Sequence, residues 1–267
     1  MLSNMNKTPF SLGEKIGVLS LLLALLLFFV TPSLAALPLI VFLILCFGAP
    51  FFPGFSFYLP VISRGRAGVK EIALTFDDGP SPLSTPVLLE LLARHNLYAT
   101  FFVIGEKAAE YPELIESILD QGHTIGNHSW SHDYFLMLRS PKRIQKDIHK
   151  SQELFKQYGV KPLVFRPPVG ITGARLGKVL AGEGMVTVNY SCRAFDRGNR
   201  NIRNLAEKIL GCVKPGAIIM LHDVPQYEKA LQEYWEKELD HLFGTLKKRY
   251  TVAPLELLIE RPVMMVL

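Results

Sequence analysis

The sequence is poor in cysteine and has no long block of like charge. Its three cysteines, Cys46, Cys192 and Cys212, lie far apart and form no Cys-x-x-Cys pair. We therefore predict no disulfide framework, and the cysteines do not indicate a compartment. The formal net charge is +5 over 267 residues. Because no basic run is present that would follow a nucleic-acid backbone, nucleic acid is excluded as a partner.

Charged residues are also absent from the whole stretch between residues 16 and 63. One membrane-spanning helix needs about 20 apolar residues, so this stretch is long enough for two. The apolar segments are 16–30 and 35–52, and Thr31-Pro32-Ser33 between them fits a tight turn. We therefore predict an N-terminal membrane segment of one or two helices over 1–63, a linker over 64–69 and a catalytic domain over 70–260.

The number of spans stays open at this stage. A hairpin of two spans would put both of its ends on one side of the cell membrane, and the lysines and arginines that flank both ends favour the cytoplasmic face. One tilted span with a second interfacial segment would instead export the domain. A signal peptide cleaved near Ser33-Leu34-Ala35 would do the same.

Beyond residue 69, short apolar runs alternate with longer amphipathic ones, a pattern that predicts alternating strands and helices. The predicted strands are 71–76, 100–104, 124–127, 163–166, 185–190, 217–221 and 250–253. The predicted helices are 84–95, 107–121, 141–157, 174–182, 202–211 and 227–248. This order indicates an α/β fold with a parallel sheet and helices outside it, either open or closed into a barrel.

Polar side chains follow the ends of several predicted strands. They are Asp77, Asp78, His128, Arg166, Asp196 and His222. In parallel α/β folds the loops at the carboxyl ends of the strands carry the chemistry. We therefore expect these side chains to meet at one rim.

Asp77 and Asp78 are adjacent carboxylates at the end of a strand. Successive strand residues point to opposite faces, so both can address one site only if the strand stops, as Gly79-Pro80 predicts. Their mutual repulsion would be relieved by a cation beside them. A helix cap or an Asx turn is the alternative interpretation of Asp before Gly-Pro.

His128 and His132 are four residues apart, a spacing at which two imidazoles can meet one ion in a helix or tight turn. The spacing alone is weak evidence, since a single histidine is more often a surface or core group. Together with a carboxylate from another strand end, the two histidines would make a three-ligand set. Such a set leaves metal positions open for water and substrate.

Two further strand ends carry groups that suit catalysis. In FRPPVG, residues 165–170, two prolines stiffen the loop, Arg166 can pair with a rim carboxylate, and the N–H of Val169 can face a developing oxyanion. A rigid turn with a surface arginine is the alternative. His222 follows a buried strand, where a histidine can donate a proton near neutral pH.

Taken together, the motifs TFDDGP (75–80), HSWSH (128–132), RPPVG (166–170) and LHD (221–223) resemble those of polysaccharide deacetylases with the NodB homology domain, carbohydrate esterase family 4. ATFFVIG (99–105) is similar to that family's second strand. The resemblance extends over about 69–258. It implies a distorted (β/α) barrel that removes N-acyl groups from amino sugars with a divalent metal, most often zinc, with Co²⁺, Ni²⁺ and Mn²⁺ as alternatives.

The resemblance also implies a role for each matching residue. Asp77 would be the general base, and the metal ligands would be Asp78, His128 and His132. The other implied roles are the catalytic acid for His222, orientation of the base for Arg166, a backbone oxyanion contact for Val169, a wall of the acetyl pocket for Leu221 and support of the acid for Asp196.

One family motif, Asp-x-x-Asp-Trp, is altered. The matching stretch is Arg193-Ala194-Phe195-Asp196-Arg197, so arginine replaces the first aspartate and the tryptophan is missing. The tryptophan would form a sugar-stacking wall. We therefore expect a substrate shape that differs from that of chitin-type relatives.

Two hypotheses of function result. The first is a metal-dependent deacetylase that hydrolyses the N-acyl amide of an amino sugar in a cell-envelope polysaccharide, or in a lipid-linked saccharide if the domain faces the cytoplasm. The second is a non-catalytic, membrane-tethered glycan-binding protein on a deacetylase fold, which predicts a damaged metal triad or a missing base. The base, the acid and the three ligands are all present in the sequence, which favours the first.

Overall fold

The computed structural model describes residues 10–66, 68 and 70–267. The strands are β1 Val61–Ile62, β2 Glu71–Asp77, β3 Ala99–Val103, β4 Thr124–Asn127, β5 Val160–Pro162, β6 Val164–Phe165, β7 Val186–Val188, β8 Cys192–Arg193, β9 Ile218–His222, β10 Thr251–Val252 and β11 Met264–Val266. The helices are α1 Leu12–Val30, α2 Leu37–Gly48, α3 Thr85–His95, α4 Gly105–Glu110, α5 Pro112–Asp120, α6 Pro141–Gln157, α7 Leu176–Glu183, α8 Leu205–Cys212, α9 Lys229–Arg249 and α10 Leu255–Leu258.

Nine strands form one parallel sheet with the order β1-β7-β6-β4-β3-β2-β9-β8, and β10 pairs with β2 beside this path. After β1 the chain reaches the start of β9, where Arg64 and Ala217 form an isolated antiparallel bridge. This segment partly closes the gap between the edge strands β1 and β8. The predicted distorted (β/α) barrel is confirmed.

The main core lies between the sheet and the outer helices. Phe76 of β2 stacks on Phe101 of β3 with ring centroids 5.1 Å apart, and Phe243 of α9 meets Phe76 edge-on at 6.4 Å. All three rings are at most 1% exposed. Aromatic pairs at these distances stabilise a core beyond the burial of their apolar area. This core therefore fixes β2, which ends at Asp77, within the sheet.

The structure corrects several predicted bounds. The helix predicted over 107–121 is two helices, α4 and α5, because Pro112 cannot continue a helix and begins a new one. Strands β1, β5, β8 and β11 were not predicted, since two or three residues carry no readable alternation. Two of them, β1 and β11, lie outside the predicted domain limits of 70–260, so strand pairing extends beyond those limits at both ends.

The cysteines were expected to give no disulfide framework, but two of them form a bond. Cys192 and Cys212 are bonded, with their Cα atoms 5.6 Å apart. Cys192 lies in β8 and Cys212 ends α8, which packs back along that strand. The sequence separation of 20 residues hides this proximity, which depends on the return of the helix.

The two apolar helices α1 and α2 lie side by side. The ring of Phe42 rests against Gly17, where a Cβ atom would be only 2.9 Å from the ring. By length and composition, Leu12–Val30 and Pro32–Phe51 could each cross a membrane, and only 11% of each segment is buried. Both apolar segments are thus helical, and their insertion in a membrane stays a prediction.

The segment that connects α2 with the barrel is packed against both. Phe57 is fully buried, and the hydroxyl of Tyr58 donates to the carbonyl of Cys46 at 2.7 Å. Leu59 packs into a cluster with Leu176 of α7. The side-chain amide of Asn189 donates to the carbonyl of Pro53 at 2.8 Å. The apolar helices are therefore attached without a free linker between residues 53 and 62.

Candidate active site

A cavity of about 900 Å³ opens at the carboxyl ends of the strands. Seven residues predicted from the sequence line it, namely Asp77, Asp78, His128, His132, Val169, Asp196 and His222. Arg166 is fully buried behind them. The structure thus brings together side chains from four strand ends and the loop that follows β8.

A turn after β2 directs both aspartates to the cavity. Asp77 is the last residue of the strand, and Asp78 has a φ of 71°, in the left-handed region. This change of conformation reverses the alternation of the strand, which would otherwise point Asp78 away. The close approach of Asp223 to Gly79 leaves no room for a Cβ atom there.

Asp223 holds this turn in place. Its N–H donates to the carbonyl of Asp77 at 2.7 Å. Its carboxylate accepts from the hydroxyls of Ser84 and Thr85, both at 2.6 Å. Burial raises the pKa of Asp223 to about 6, against the opposing effect of these two hydrogen bonds. Asp223 is therefore a structural support for the aspartate pair.

Asp78, His128 and His132 form a compact cluster. The Oδ1 atom of Asp78 lies 3.3 Å from Nε2 of His128 and 3.0 Å from Nε2 of His132. The three candidate ligand atoms lie within 4.8 Å of one another. Burial alone would raise the pKa of Asp78, but hydrogen bonds to the two histidines and their charge hold that pKa well below its usual value. Asp78 is therefore ionised.

The hydrogen bonding of His128 fits a metal ligand. Its Nδ1 atom lies 2.7 Å from the carbonyl oxygen of Arg166. A carbonyl can only accept, so Nδ1 carries a proton, and Nε2 is the ring nitrogen that faces Asp78 and is placed to bind a metal ion. An Nδ1–H to carbonyl hydrogen bond of this kind fixes the ring of a histidine that binds a metal ion through Nε2. The cluster therefore suits a divalent cation with nitrogen and oxygen ligands.

Asp77 is paired with a buried arginine. Nη1 of Arg166 donates to Oδ1 of Asp77 at 2.6 Å and to the hydroxyl of Thr75 at 2.8 Å. The Nε and Nη2 atoms of Arg166 donate to the carbonyls of Val188 and Asn189, both at 3.1 Å. Burial lowers the pKa of Arg166, and the charge of Asp77 opposes this effect. The pair fixes the orientation of Asp77 at the edge of the cavity.

His222 is paired with Asp196. Its Nδ1 atom lies 2.9 Å from Oδ2 of Asp196. Burial by itself lowers the pKa of His222, but the hydrogen bond and charge of Asp196 raise it, with smaller contributions from Asp78 and Asp77, to a net value of about 9. His222 is therefore protonated at neutral pH and has a proton to donate into the cavity.

The structure places Val169 at the cavity as predicted, but not Leu221. Val169 lines the cavity with a φ of 53°, which is rare for a β-branched residue. Leu221 lies in the main core, 1% exposed, and does not line the cavity. Successive strand residues alternate, so it is the neighbouring Met220 that faces the cavity together with His222. The expected place of Leu221 in the acetyl pocket is not supported.

Sequence reasoning missed several residues that shape the site. Thr75 lies two positions before Asp77 on the same strand face, and that spacing was a readable signal. Asn199 donates to the carbonyls of His222 and Val224 at 3.0 and 2.7 Å, and Lys107 donates to the carbonyl of Asp78 at 2.6 Å. No sequence pattern indicates these last two contacts, because they join distant loops.

The altered motif after β8 also lines the cavity. Phe195, 67% exposed, lies at its rim, and Arg193, Arg197 and Arg200 line it as well. The guanidinium carbon of Arg193 lies 4.3 Å above the ring of Phe195. An aromatic surface is thus present at this rim although the expected tryptophan is missing.

Comparison with known proteins agrees with this geometry. The family model described as polysaccharide deacetylase matches residues 64–188. A peptidoglycan-N-acetylglucosamine deacetylase of Listeria monocytogenes (strain 10403S) is 36% identical over 170 residues, which are 63% of this chain and 35% of that protein. The chain thus spans about a third of the length of this relative.

Two further relatives are matched over a larger share of their own length than the Listeria protein. A peptidoglycan-N-acetylglucosamine deacetylase of Bacillus cereus (strain ATCC 14579) is 36% identical over 156 residues, 58% of this chain and 73% of that one. A crystal structure of the Bc1960 peptidoglycan N-acetylglucosamine deacetylase has a TM-score of 0.69 and 29% identity, and the match covers 76% of this chain and 94% of that one. Sequence and fold therefore point to the same group of proteins.

Proposed function

Because the chain belongs to the polysaccharide deacetylase family, we propose that it hydrolyses the N-acyl amide of an amino sugar in a cell-envelope glycan of the peptidoglycan or chitooligosaccharide type. The observation that carries the proposal is one cavity that joins three groups of side chains. These are the Asp77–Arg166 pair, the cluster of Asp78 with two histidines, and the Asp196–His222 pair. A protein with the deacetylase fold that had lost catalysis and only bound glycans would not need all three of these groups.

Asp78, His128 and His132 are proposed to hold one divalent metal ion, with zinc as the first candidate. A bound ion of this kind supplies Lewis-acid polarisation of the amide carbonyl and lowers the pKa of a water. The support for the assignment is the Nδ1 hydrogen bond of His128, which leaves Nε2 facing Asp78, and the position of the three candidate ligand atoms within 4.8 Å of one another.

The remaining roles fall to Asp77, Val169 and His222. Asp77 is proposed to take the proton of the attacking water, since Arg166 holds its Oδ1 atom and no hydrogen bond to Oδ2 is found among the described residues. The N–H of Val169 is proposed to donate to the developing oxyanion. His222, protonated and held by Asp196, is proposed to give its proton to the departing amine.

The direct test is release of the acyl group. The purified full chain, loaded with zinc, is expected to release acetate from N-acetylated glucosamine oligomers or from peptidoglycan glycan strands, and free amines should appear in equal amount. Lipid-linked amino sugars and N-formyl sugars extend the same assay. If a metal-loaded chain releases no acyl group from any of these substrates, the proposed function is wrong and the glycan-binding alternative takes its place.

The pKa of His222 gives a prediction for Asp196→Asn. Loss of the carboxylate removes the main cause that raises the pKa of His222 above its usual value, while burial continues to lower it. The acid is protonated below its pKa, so the alkaline limb of kcat/KM should move from near pH 9 to below neutrality. At pH 8 we expect a loss of about tenfold or more, which shrinks as the pH falls toward 6. An unchanged alkaline limb would contradict the role of His222.

The proposed location is the membrane, with the domain on its non-cytoplasmic side. The support for the membrane is the length and composition of the two apolar N-terminal helices. The support for the side is the Cys192–Cys212 disulfide, since disulfides persist in oxidising compartments and are rare in the cytosol. This proposal departs from the expectation based on flanking charge. It favours an external glycan over a lipid-linked precursor on the cytoplasmic leaflet.

A fusion after Leu267 tests the location. A C-terminal alkaline phosphatase is expected to be active and a C-terminal green fluorescent protein to be dark. In intact cells, thiol alkylation without a reductant should leave Cys192 and Cys212 unlabelled, and both should become reactive after reduction. A fluorescent fusion, or labelling of Cys192 in the unreduced chain, would put the domain in the cytoplasm.

A further inference from the structure

The end of β8 and the loop that follows it add to the cavity a cluster of arginines that the proposed reaction does not use. We propose that Arg193, Arg197 and Arg200 form a subsite for an anionic group, a carboxylate or a phosphate, carried by the saccharide substrate. The inference rests on the proposed function, because it concerns the substrate of the same cavity. It makes the preferred substrate an acidic N-acylated glycan.

The charges that line the cavity leave these arginines without partners. Asp77 is paired with Arg166, Asp78 with the two histidines, and Asp196 with His222. Within residues 10–66, 68 and 70–267, none of the three arginines forms an ion pair. Glu106 is the remaining carboxylate of the lining. The β8 side of the cavity therefore carries excess positive charge.

Arg193 is held in a fixed position. Its Nη1 atom donates to the hydroxyl of Tyr190 at 3.0 Å, and its guanidinium carbon lies 4.3 Å from the centre of the Phe195 ring. The hydroxyl of Tyr190 lies beside Gly170, 3.2 Å from where a Cβ atom would be, and so next to the Val169 loop. A guanidinium has five N–H donors, so most of those of Arg193 stay available. Because the side chain is already ordered, binding an anion costs less conformational entropy.

Arg197 is close to the reacting groups. It lies between Asp196, which contacts His222, and Gly198, where a Cβ atom would be 3.8 Å from Oδ2 of Asp78. Asn199 anchors the same loop through the carbonyls of His222 and Val224. An anion bound by this loop would therefore belong to the acylated sugar itself or to its neighbour in the glycan.

The chemistry of the guanidinium group selects the ligand. Its planar fork matches the two oxygens of a carboxylate or phosphate, and the bidentate hydrogen bonds are charge-assisted. A neutral glycan offers only hydroxyls and amides. Three arginines on the β8 side of the cavity thus favour a glycan that carries an acid group.

The experiment compares three probes of equal length with the full, metal-loaded chain. They are a neutral N-acetylglucosamine oligomer, a glycan in which alternate sugars carry a lactyl carboxylate, and an oligomer that ends in a 1-phosphate. Turnover gives kcat and KM, and calorimetry gives the binding constant independently of turnover. The variants are Arg193→Gln, Arg197→Gln and Arg200→Gln. Arg203→Gln is the matched control, because Arg203 is exposed and does not line the cavity.

We expect the wild type to bind one acidic probe at least about tenfold more tightly than the neutral one, the effect of one charge-assisted hydrogen-bonded pair. Each cavity variant should raise KM for that probe about tenfold and leave kcat and the neutral probe within twofold, and Arg203→Gln should change nothing. The acidic probe whose KM rises in the variants shows whether the arginines bind a carboxylate or a phosphate. Equal binding of all probes, or equal losses on neutral and acidic probes, would overturn the inference. If no probe is turned over but the acidic probe still binds more tightly than the neutral one, the deacetylase function is refuted and the anion subsite is not.

Discussion

Asp77→Asn is expected to lower kcat by about 100-fold to 10,000-fold, the range that a general base contributes. Asparagine keeps the shape of the side chain and an oxygen that can accept from Arg166, but it cannot take a proton from water. Metal content should stay at the wild-type level, because Asp78 and the two histidines are untouched. The measurement is kcat on an N-acetylated oligomer, with metal analysis of the same sample.

The structural role of Asp77 has to be separated from its proposed catalytic role. Arg166 is fully buried, and a buried charge that loses its partner costs about 3–5 kcal/mol, so the variant should also unfold more easily. Thr75→Val is the matched control, since it removes the other side-chain hydrogen bond of Nη1 of Arg166 and keeps the base. We expect Thr75→Val to lose stability and to retain most of its activity. If Asp77→Asn kept more than a tenth of wild-type kcat, Asp77 would not be the base.

His128→Ala is expected to abolish both metal binding and activity. The wild-type chain should hold about one divalent ion, and the variant should lose it, because one of three ligands and the ring that faces Asp78 disappear together. A chelator should inactivate the wild type, and added zinc should restore it. Zinc should also raise the Tm of the metal-free wild type and leave that of the variant unchanged, since only a bound ion stabilises the folded state.

His149→Ala is the control for this experiment. His149 is an exposed histidine on α6 that pairs with Glu183 and does not line the cavity. It should keep wild-type metal content, activity and response to zinc. Equal metal content in His128→Ala and His149→Ala would show that the cluster is not the metal site.

The sequence was most informative where an element is long or its residues are distinctive. The bounds of β4 and α6 agree with the prediction to the residue, because apolar periodicity and the flanking Pro141 define them. Strands β6, β7 and β10 have only two or three residues but lie within longer predicted runs, whereas β1 and β8, of two residues each, were not predicted. They exist because neighbouring strands offer backbone partners, and that information lies elsewhere in the chain.

The same distinction applies to the site. Strand ends brought Asp77, Asp78 and His222 to one cavity as expected, because parallel strands share a direction. Contacts between loops, such as those of Asp223 and Asn199, could not be predicted from local patterns. The Cys192–Cys212 bond was hidden for the same reason. The resemblance of the LHD motif led us to expect Leu221 in the acetyl pocket. The alternation of side chains along β9 already indicated that Met220 and His222 share the face toward the cavity.

The hydrogen bond from Asn189 to Pro53 limits how far the cavity can move from the apolar N-terminal helices. The carbonyl of the same Asn189 holds Arg166, which orients Asp77. With α1 and α2 in the bilayer, as proposed, no flexible linker separates the cavity from the membrane, so the cavity stays at a fixed distance from the lipid surface. Glycan strands would be modified while they are near the membrane and would escape the enzyme once they have moved outward, so the pattern of free amines in the envelope would record distance from the bilayer.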